Sequence, residues 1–262
     1  MTNSTIPSTI LEQGTEFLTA VVEWTRNLPS IAWSDLAGEA AQGRVALFSV
    51  DMINGFCHEG VLSSSRVQGI IPAVVEAFKG AYAIGVRNFI LAQDCHSPES
   101  VEFADFPPHC LAGTSEAETI PELASLPFAN LYTVVTKNSL NAFHGTRLST
   151  WLEAHRDLST AVVVGDCTDL CVHQMAMHLK LYANAHNLKM RVIVPENAVQ
   201  TYDTPIAVAR EIGILPHSGD VLHLLFLYHM RLNGIEVVHF SDITRKEPEE
   251  PSQEGEAEEK AA

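Results

Sequence analysis

No run of apolar residues in this 262-residue chain reaches the roughly 18 that a membrane-crossing helix needs. Met1 to Ser8 also lack the basic start and the apolar core of a secretory signal. Both absences set the expectation of a cytoplasmic protein. Basic charge is scarce: 16 Lys and Arg stand against 32 Asp and Glu, for a formal net charge of −16. Such a balance repels phosphate backbones and anionic headgroups, so neither nucleic acid nor a membrane surface is an expected partner. Cysteine is sparse and odd in number. The five residues, Cys57, Cys95, Cys110, Cys167 and Cys171, show no CxxC spacing, which argues against a disulfide framework and for reduced thiols.

The remainder is rich in core material. Hydrophobic residues make up 46% of the chain and charged residues only 18%, enough for one large domain with a sizeable interior. Apolar, β-branched runs occur at Arg44 to Val50, Asn88 to Gln93, Leu131 to Thr136, Thr160 to Gly165, Met190 to Pro195 and Ile235 to Phe240. Helix-period segments near Ile70 to Tyr82, Thr146 to Ala154, Cys171 to Ala185 and Val221 to Leu232 lie between them. This alternation predicts an α/β fold, a Rossmann-like three-layer sandwich. Its six-stranded, mostly parallel sheet has helices on both faces, since the strands read as continuous apolar runs.

The domain is expected over 44–245. Residues 1–43 read as an extension with one helix, Ile10 to Thr25, packing on the domain or on a second subunit of a homo-oligomer. From Lys246 to Ala262, seven Glu against two Lys, with Pro248, Pro251 and Gly255, predict a disordered acidic tail.

Ligands of open parallel sheets bind outside the carboxyl ends of the strands. The first run ends in Asp51, the second in Asp94 and the third in Lys137; the fourth leads through Gly165-Asp166-Cys167-Thr168-Asp169-Leu170 to Cys171. A cysteine at the start of a helix meets the positive end of its dipole, and a nearby cation adds to the effect. Together they are expected to lower the thiol pKa from its usual ~8.5. Lys137 would be the cation and Asp51 the group that accepts the thiol proton and returns it to a departing amine. The backbone N–H groups of Cys167 and Cys171 would form the oxyanion hole. Any one of these residues alone has an ordinary structural role open to it; their convergence on one sheet edge is what points to acyl transfer.

Asp51-Met52-Ile53-Asn54-Gly55-Phe56, Val135-Thr136-Lys137 and Gly165-Asp166-Cys167-Thr168-Asp169-Leu170-Cys171-Val172 resemble the isochorismatase-like cysteine hydrolases over about Arg44 to Phe240. The resemblance implies Asp51, Lys137 and Cys171 as catalytic triad. It also implies a cis peptide bond between Asp166 and Cys167, aiming the Cys167 N–H at the oxyanion.

Between the second and third runs, Asp94-Cys95-His96, Glu102, and Phe106-Pro107-Pro108-His109-Cys110 collect carboxylate and imidazole ligands in one long loop. In an extended Asp-x-His stretch both side chains fall on one face, so Asp94 and His96 can share a divalent ion: Zn²⁺ foremost, with Fe²⁺ or Mn²⁺ as alternatives. The set resembles the nicotinamidases, the metal-dependent branch of the family. That resemblance carries Asp94, His96 and His109 over as metal ligands. Glu102 stands where a histidine is commoner, at the position some members fill with a glutamate ligand. It also implies Phe56 and Phe106 as the rings that hold a flat heteroaromatic substrate, although tryptophan is usual at the second position.

The expected reaction is conversion of nicotinamide to nicotinate and ammonia through a cysteine thioester, feeding NAD salvage. An isochorismatase-family hydrolase of another small carboxamide or ureido acid is the alternative. A non-catalytic binding protein would be favoured only if a triad residue were missing.

Overall fold

Alternating apolar runs set the order of the elements that carry the chain from the first helix to the sheet edge that matters. The computed structural model describes residues 9–243; the tail from Lys246, expected to be disordered, lies outside them. In chain order the elements are α1 (Ile10–Arg26), β1 (Ser30–Ile31), α2 (Ala37–Ala40), β2 (Val45–Val50), α3 (Asn54–Cys57), α4 (Ser65–Gln68), α5 (Ile71–Ala83) and β3 (Asn88–Asp94). Then come α6 (Pro121–Ala124), β4 (Tyr132–Lys137), α7 (Leu148–Ala154), β5 (Thr160–Asp166), α8 (Cys171–Ala185), β6 (Arg191–Pro195), β7 (Val199–Gln200), α9 (Ile206–Ile212), α10 (Gly219–Leu232) and β8 (Glu236–Phe240).

The sheet runs β1-β8-β6-β5-β2-β3-β4, with β7 paired to β5, and every pairing is parallel. Among the described residues it has eight strands rather than the expected six. The two extra ones, β1 and β7, are two residues long, too short to leave a periodic signature in the sequence.

Every residue of β2 and β5 is buried, as strands covered on both sides must be. Leu47, Leu91, Val162 and Ile193 face one layer, packed with Trp33 and with Ala77 and Phe78 of α5. Phe48, Val50 and Val163 face the other, against Val172, Met175 and Leu179 of α8 and Leu227 and Met230 of α10. On α8 the buried positions recur at helical spacing along the stripe that meets the sheet.

Residues 9–43 are stitched into this core. β1 pairs with β8, Ser30 opposite His239, and Trp33 is buried with its ring 4.8 Å from that of Phe240. α1 lies on α10, where the rings of Phe17 and Trp24 meet Tyr228 at 5.4 and 5.3 Å. Among the described residues no helix is long and apolar enough to cross a membrane.

Strand order reverses between β2 and β5: the chain proceeds outward through β3 and β4 on one side and through β6 and β8 on the other. A crevice at that reversal, above the carboxyl ends, is where such sheets bind ligands.

Candidate active site

Asp51 follows β2 directly, Asp94 ends β3 and Lys137 ends β4, while the turn after β5 leads into Cys171, the first residue of α8. The β3–β4 register sets Asp94 opposite Lys137. Asp51 takes a left-handed backbone conformation, φ 52°, which aspartate tolerates better than most residues. Its N–H donates to the Ala92 carbonyl at 2.8 Å, and its Oδ1 accepts the Asp94 N–H at 2.8 Å. The side chain is thereby fixed across the gap between two strands.

Lys137 is the centre of the cluster. Its Nζ lies 2.8 Å from Asp51 Oδ2, 2.5 Å from Asp94 Oδ1 and 3.4 Å from Cys171 Sγ. The contact with Asp51 Oδ2 lies outside hydrogen-bond geometry, so that oxygen keeps a lone pair for another proton. Burial alone would drive the ammonium toward neutrality. Asp51 and Asp94 outweigh it and hold Lys137 well above its ordinary value. Burial also pushes the Asp51 carboxyl up, with Asp94's charge adding to it and Lys137 opposing, to about 6.

Cys171 departs from expectation. Burial raises its thiol well above the usual range, Lys137 pulls down, and Asp51 and Asp94 add to the rise. The lowered thiol pKa read from the sequence is therefore absent at rest: helix and cation are present, but desolvation and two carboxylates outweigh them. The residue is also only 6% exposed, and the loop after β3 is tied back to the chain that follows β2. The Asn54 side chain donates to the Ser115 carbonyl at 3.0 Å, and the Cys110 N–H donates to Glu116 at 2.9 Å. Of two surface hollows, one of about 560 Å³ lies elsewhere, while one of about 550 Å³ is lined in part by Cys95, Lys137 and Asn138; Cys171 lines neither. The Asp166–Cys167 peptide bond is cis, as the resemblance implied. At the head of α8 the Cys171 N–H is one of the donors a helix leaves unpaired.

Asp94, His96 and His109 come together, their candidate ligand atoms all within 4.8 Å of one another. His96 Nδ1 is 3.0 Å from Asn138 Oδ1, and His109 Nδ1 is 2.8 Å from the Pro107 carbonyl. Both Nδ1 atoms donate to these acceptors, which leaves both Nε2 lone pairs pointing inward. There they face carboxylate oxygens: His96 Nε2 is 3.5 Å from Asp94 and 3.9 Å from Glu102, and His109 Nε2 is 3.8 Å from Asp94. His96 Nε2 and Glu102 Oε1 are buried without a hydrogen-bond partner. Acceptors converging in this way repel unless a cation sits among them, so the residues fit a divalent metal. Burial and Asp94 raise the Glu102 carboxyl, against the opposing pull of His96, Lys137 and His109.

Phe56 and Phe106 flank this cluster, their rings 5.7 and 6.3 Å from that of His109. Phe103 was not singled out by the sequence reading, yet its ring is 5.8 Å from His109 and 5.4 Å from His96. Its spacing of three from Phe106, one turn of helix, is the signal that would have found it. Asn138 was missed because the residue after Lys137 belongs on the opposite face of a strand; β4 has ended there, and Asn138 turns back to His96.

Comparison with known proteins agrees with this geometry. The Isochorismatase domain profile matches residues 45–210. The chain is 32% identical over 210 residues to nicotinamidase 1 of Arabidopsis thaliana, covering 74% of this chain and 85% of that one. It is 29% identical over 177 residues to the nicotinamidase/pyrazinamidase of Mycobacterium tuberculosis, covering 63% and 92%. The solved pyrazinamidase/nicotinamidase of Streptococcus mutans superposes with a TM-score of 0.58 at 25% identity, over 74% of this chain and 99% of that one.

Proposed function

We propose, from the premise that this chain belongs to the isochorismatase family, that it hydrolyses nicotinamide to nicotinate and ammonia. The chain is similar to nicotinamidases over most of its length, which supports an amidohydrolase acting on a linear C–N bond. One observation carries the reading: the Lys137 ammonium contacts Asp51, Asp94 and Cys171 at once, so the candidate triad and the candidate metal ligands share a single cation.

In this mechanism Asp51 removes the Cys171 proton as sulfur attacks the carboxamide carbon. A carboxyl pushed up to about 6 is ionised at neutral pH and still basic enough for that task. Lys137 offsets the negative charge that passes between Asp51 and the sulfur. The N–H groups of Cys167 and Cys171 receive the oxyanion. Asp51 then gives its proton to the nitrogen, the C–N bond breaks, and ammonia leaves a thioester on Cys171. Water, deprotonated by Asp51, attacks that thioester; the C–S bond breaks, nicotinate departs and the thiol is restored.

Asp94, His96, Glu102 and His109 would hold the metal, Zn²⁺ by the preference of a mixed imidazole and carboxylate set. Bound there, it supplies an electrophilic point for the pyridine nitrogen and acidifies coordinated water. Phe56 and Phe106, with Phe103, hold the ring flat, each partner contributing roughly 0.5–1.5 kcal/mol. The product is a precursor returned to NAD, and the five unpaired cysteines suit a reducing cytoplasm.

The test is release of ammonia from nicotinamide by the pure protein, beside a panel of small carboxamides and ureido acids, with Zn²⁺, Fe²⁺ or Mn²⁺ supplied. Cys171→Ala is expected to abolish release while metal content stays at one ion per chain. No release from nicotinamide under any metal would refute the reading.

A further inference from the structure

The turn that carries both oxyanion donors, residues 167–171, has few bonds of its own. The Cys167 carbonyl accepts the N–H of Leu170 and of Val172, and beyond these the turn is held from the side. The Thr168 N–H donates to the Gln200 carbonyl at 3.0 Å, and Asp169 Oδ1 accepts the Thr201 hydroxyl at 2.6 Å. Asp169 Oδ2 lies 2.7 Å from His217 Nε2, and His217 Nδ1 lies 3.0 Å from the Tyr202 carbonyl. The imidazole is stacked on Tyr202 at 3.8 Å, and Asp169 and His217 are 7% and 9% exposed. Behind them Arg66 donates to the Thr201 carbonyl and to Gln200 Oε1, both at 3.1 Å.

Both ring nitrogens of His217 thus face groups that can only accept: a carboxylate oxygen and a carbonyl oxygen. A neutral imidazole has one N–H and would direct a lone pair at one of them. We infer that His217 is an imidazolium whose two N–H groups bridge Asp169 to the Tyr202 carbonyl. It acts as a positioning residue, holding the turn so that the Cys167 and Cys171 N–H groups meet the oxyanion. Asp169 agrees: burial would raise its carboxyl, but the hydrogen bonds from His217 and Thr201 outweigh burial and hold it low. The inference rests on the oxyanion role proposed above. A misplacement of about 1 Å at reacting groups costs on the order of 100-fold in rate.

His217→Phe keeps the stack on Tyr202 and removes both donors. We expect kcat to fall roughly 10- to 100-fold with KM within about 3-fold. Alkylation of Cys171 by iodoacetamide, followed by mass spectrometry, should stay within about 3-fold of wild type, because displacement at that carbon builds no oxyanion. His217→Gln, whose amide offers two N–H donors, should recover most of the lost kcat. In the wild-type protein the ¹⁵N shifts of the His217 ring should report two protonated nitrogens at neutral pH, a reading that stands even if the Phe variant does not fold. Unchanged kcat in His217→Phe, alkylation falling in step with kcat, or a neutral-ring spectrum would each overturn the inference. A wild-type protein that releases no ammonia from any amide refutes the function instead, and the ring spectrum still decides the protonation state of His217.

Discussion

At Lys137 an ammonium 2% exposed is held by two carboxylates, and the neighbouring Asn138 fixes the outer nitrogen of His96. That adjacency gives a residue-scale prediction. Asn138→Ala removes the acceptor that sets the His96 tautomer, and should weaken Zn²⁺ binding about 10- to 100-fold, as measured by competition with a chromophoric chelator. Unchanged affinity would mean that His96 is oriented by packing alone. Asp51, Asp94, His96, Lys137 and Cys171 were legible in the sequence because each ends a strand or follows one closely, where side-chain chemistry is exposed to a common edge; His109, far along the loop after β3, was legible by resemblance. Glu102 was legible only by resemblance. Phe103, Asn138 and the Asp169–His217 pair were not, since their roles depend on where loops fold back, which no periodicity records. The state of the thiol was misread for a related reason: a helix start and a lysine are visible in a sequence, but the depth of burial that outweighs them is not.

Between elements, β5 packs tightly against β2 at Gly165. Gly165 has φ 112°, and a Cβ built there would lie 2.1 Å from the Val50 carbonyl oxygen. Gly165→Ala should therefore cost about 4 kcal/mol or more, combining a conformation closed to L side chains with a backbone clash beside Asp51. Urea unfolding would measure it, and a loss below about 1 kcal/mol would show that the strands can separate. The Asp169–His217 link ties the turn before α8 to the chain before α10, and its contribution should depend on pH. Because the folded-state pKa of Asp169 is depressed, the link stabilises the protein fully above the ordinary aspartate value of 3.8 and loses that contribution as pH falls through the lowered folded value. Wild type should exceed Asp169→Asn in urea midpoint at pH 7, and the margin should shrink once the pH drops below 3.8. The six longer strands and helices α1, α5, α7, α8 and α10 were legible from apolar runs and their spacing, whereas α9, as short as α7, was not; β1 and β7 were hidden because they are pairing decisions of two residues each.

Across the whole molecule, the sheet order places the reversal between β2 and β5, and the candidate site is built from both sides of it. The segment before Arg44, read from its sequence as an extension packing on the domain or on a second subunit, supplies an edge strand and the buried Trp33. The central pairing joins Val45 to Thr160 and Val50 to Gly165, positions far apart along the chain. Parallel contacts of such long sequence separation are slow to form, because the intervening loop must close before they reward it. Asp51 and Cys171 sit on opposite sides of that seam. When denatured protein is diluted from urea, far-ultraviolet dichroism should recover early as α8 and α10 form, and catalytic competence should return only with the slowest kinetic phase. Half of the chain made on its own would leave acid and nucleophile as strangers.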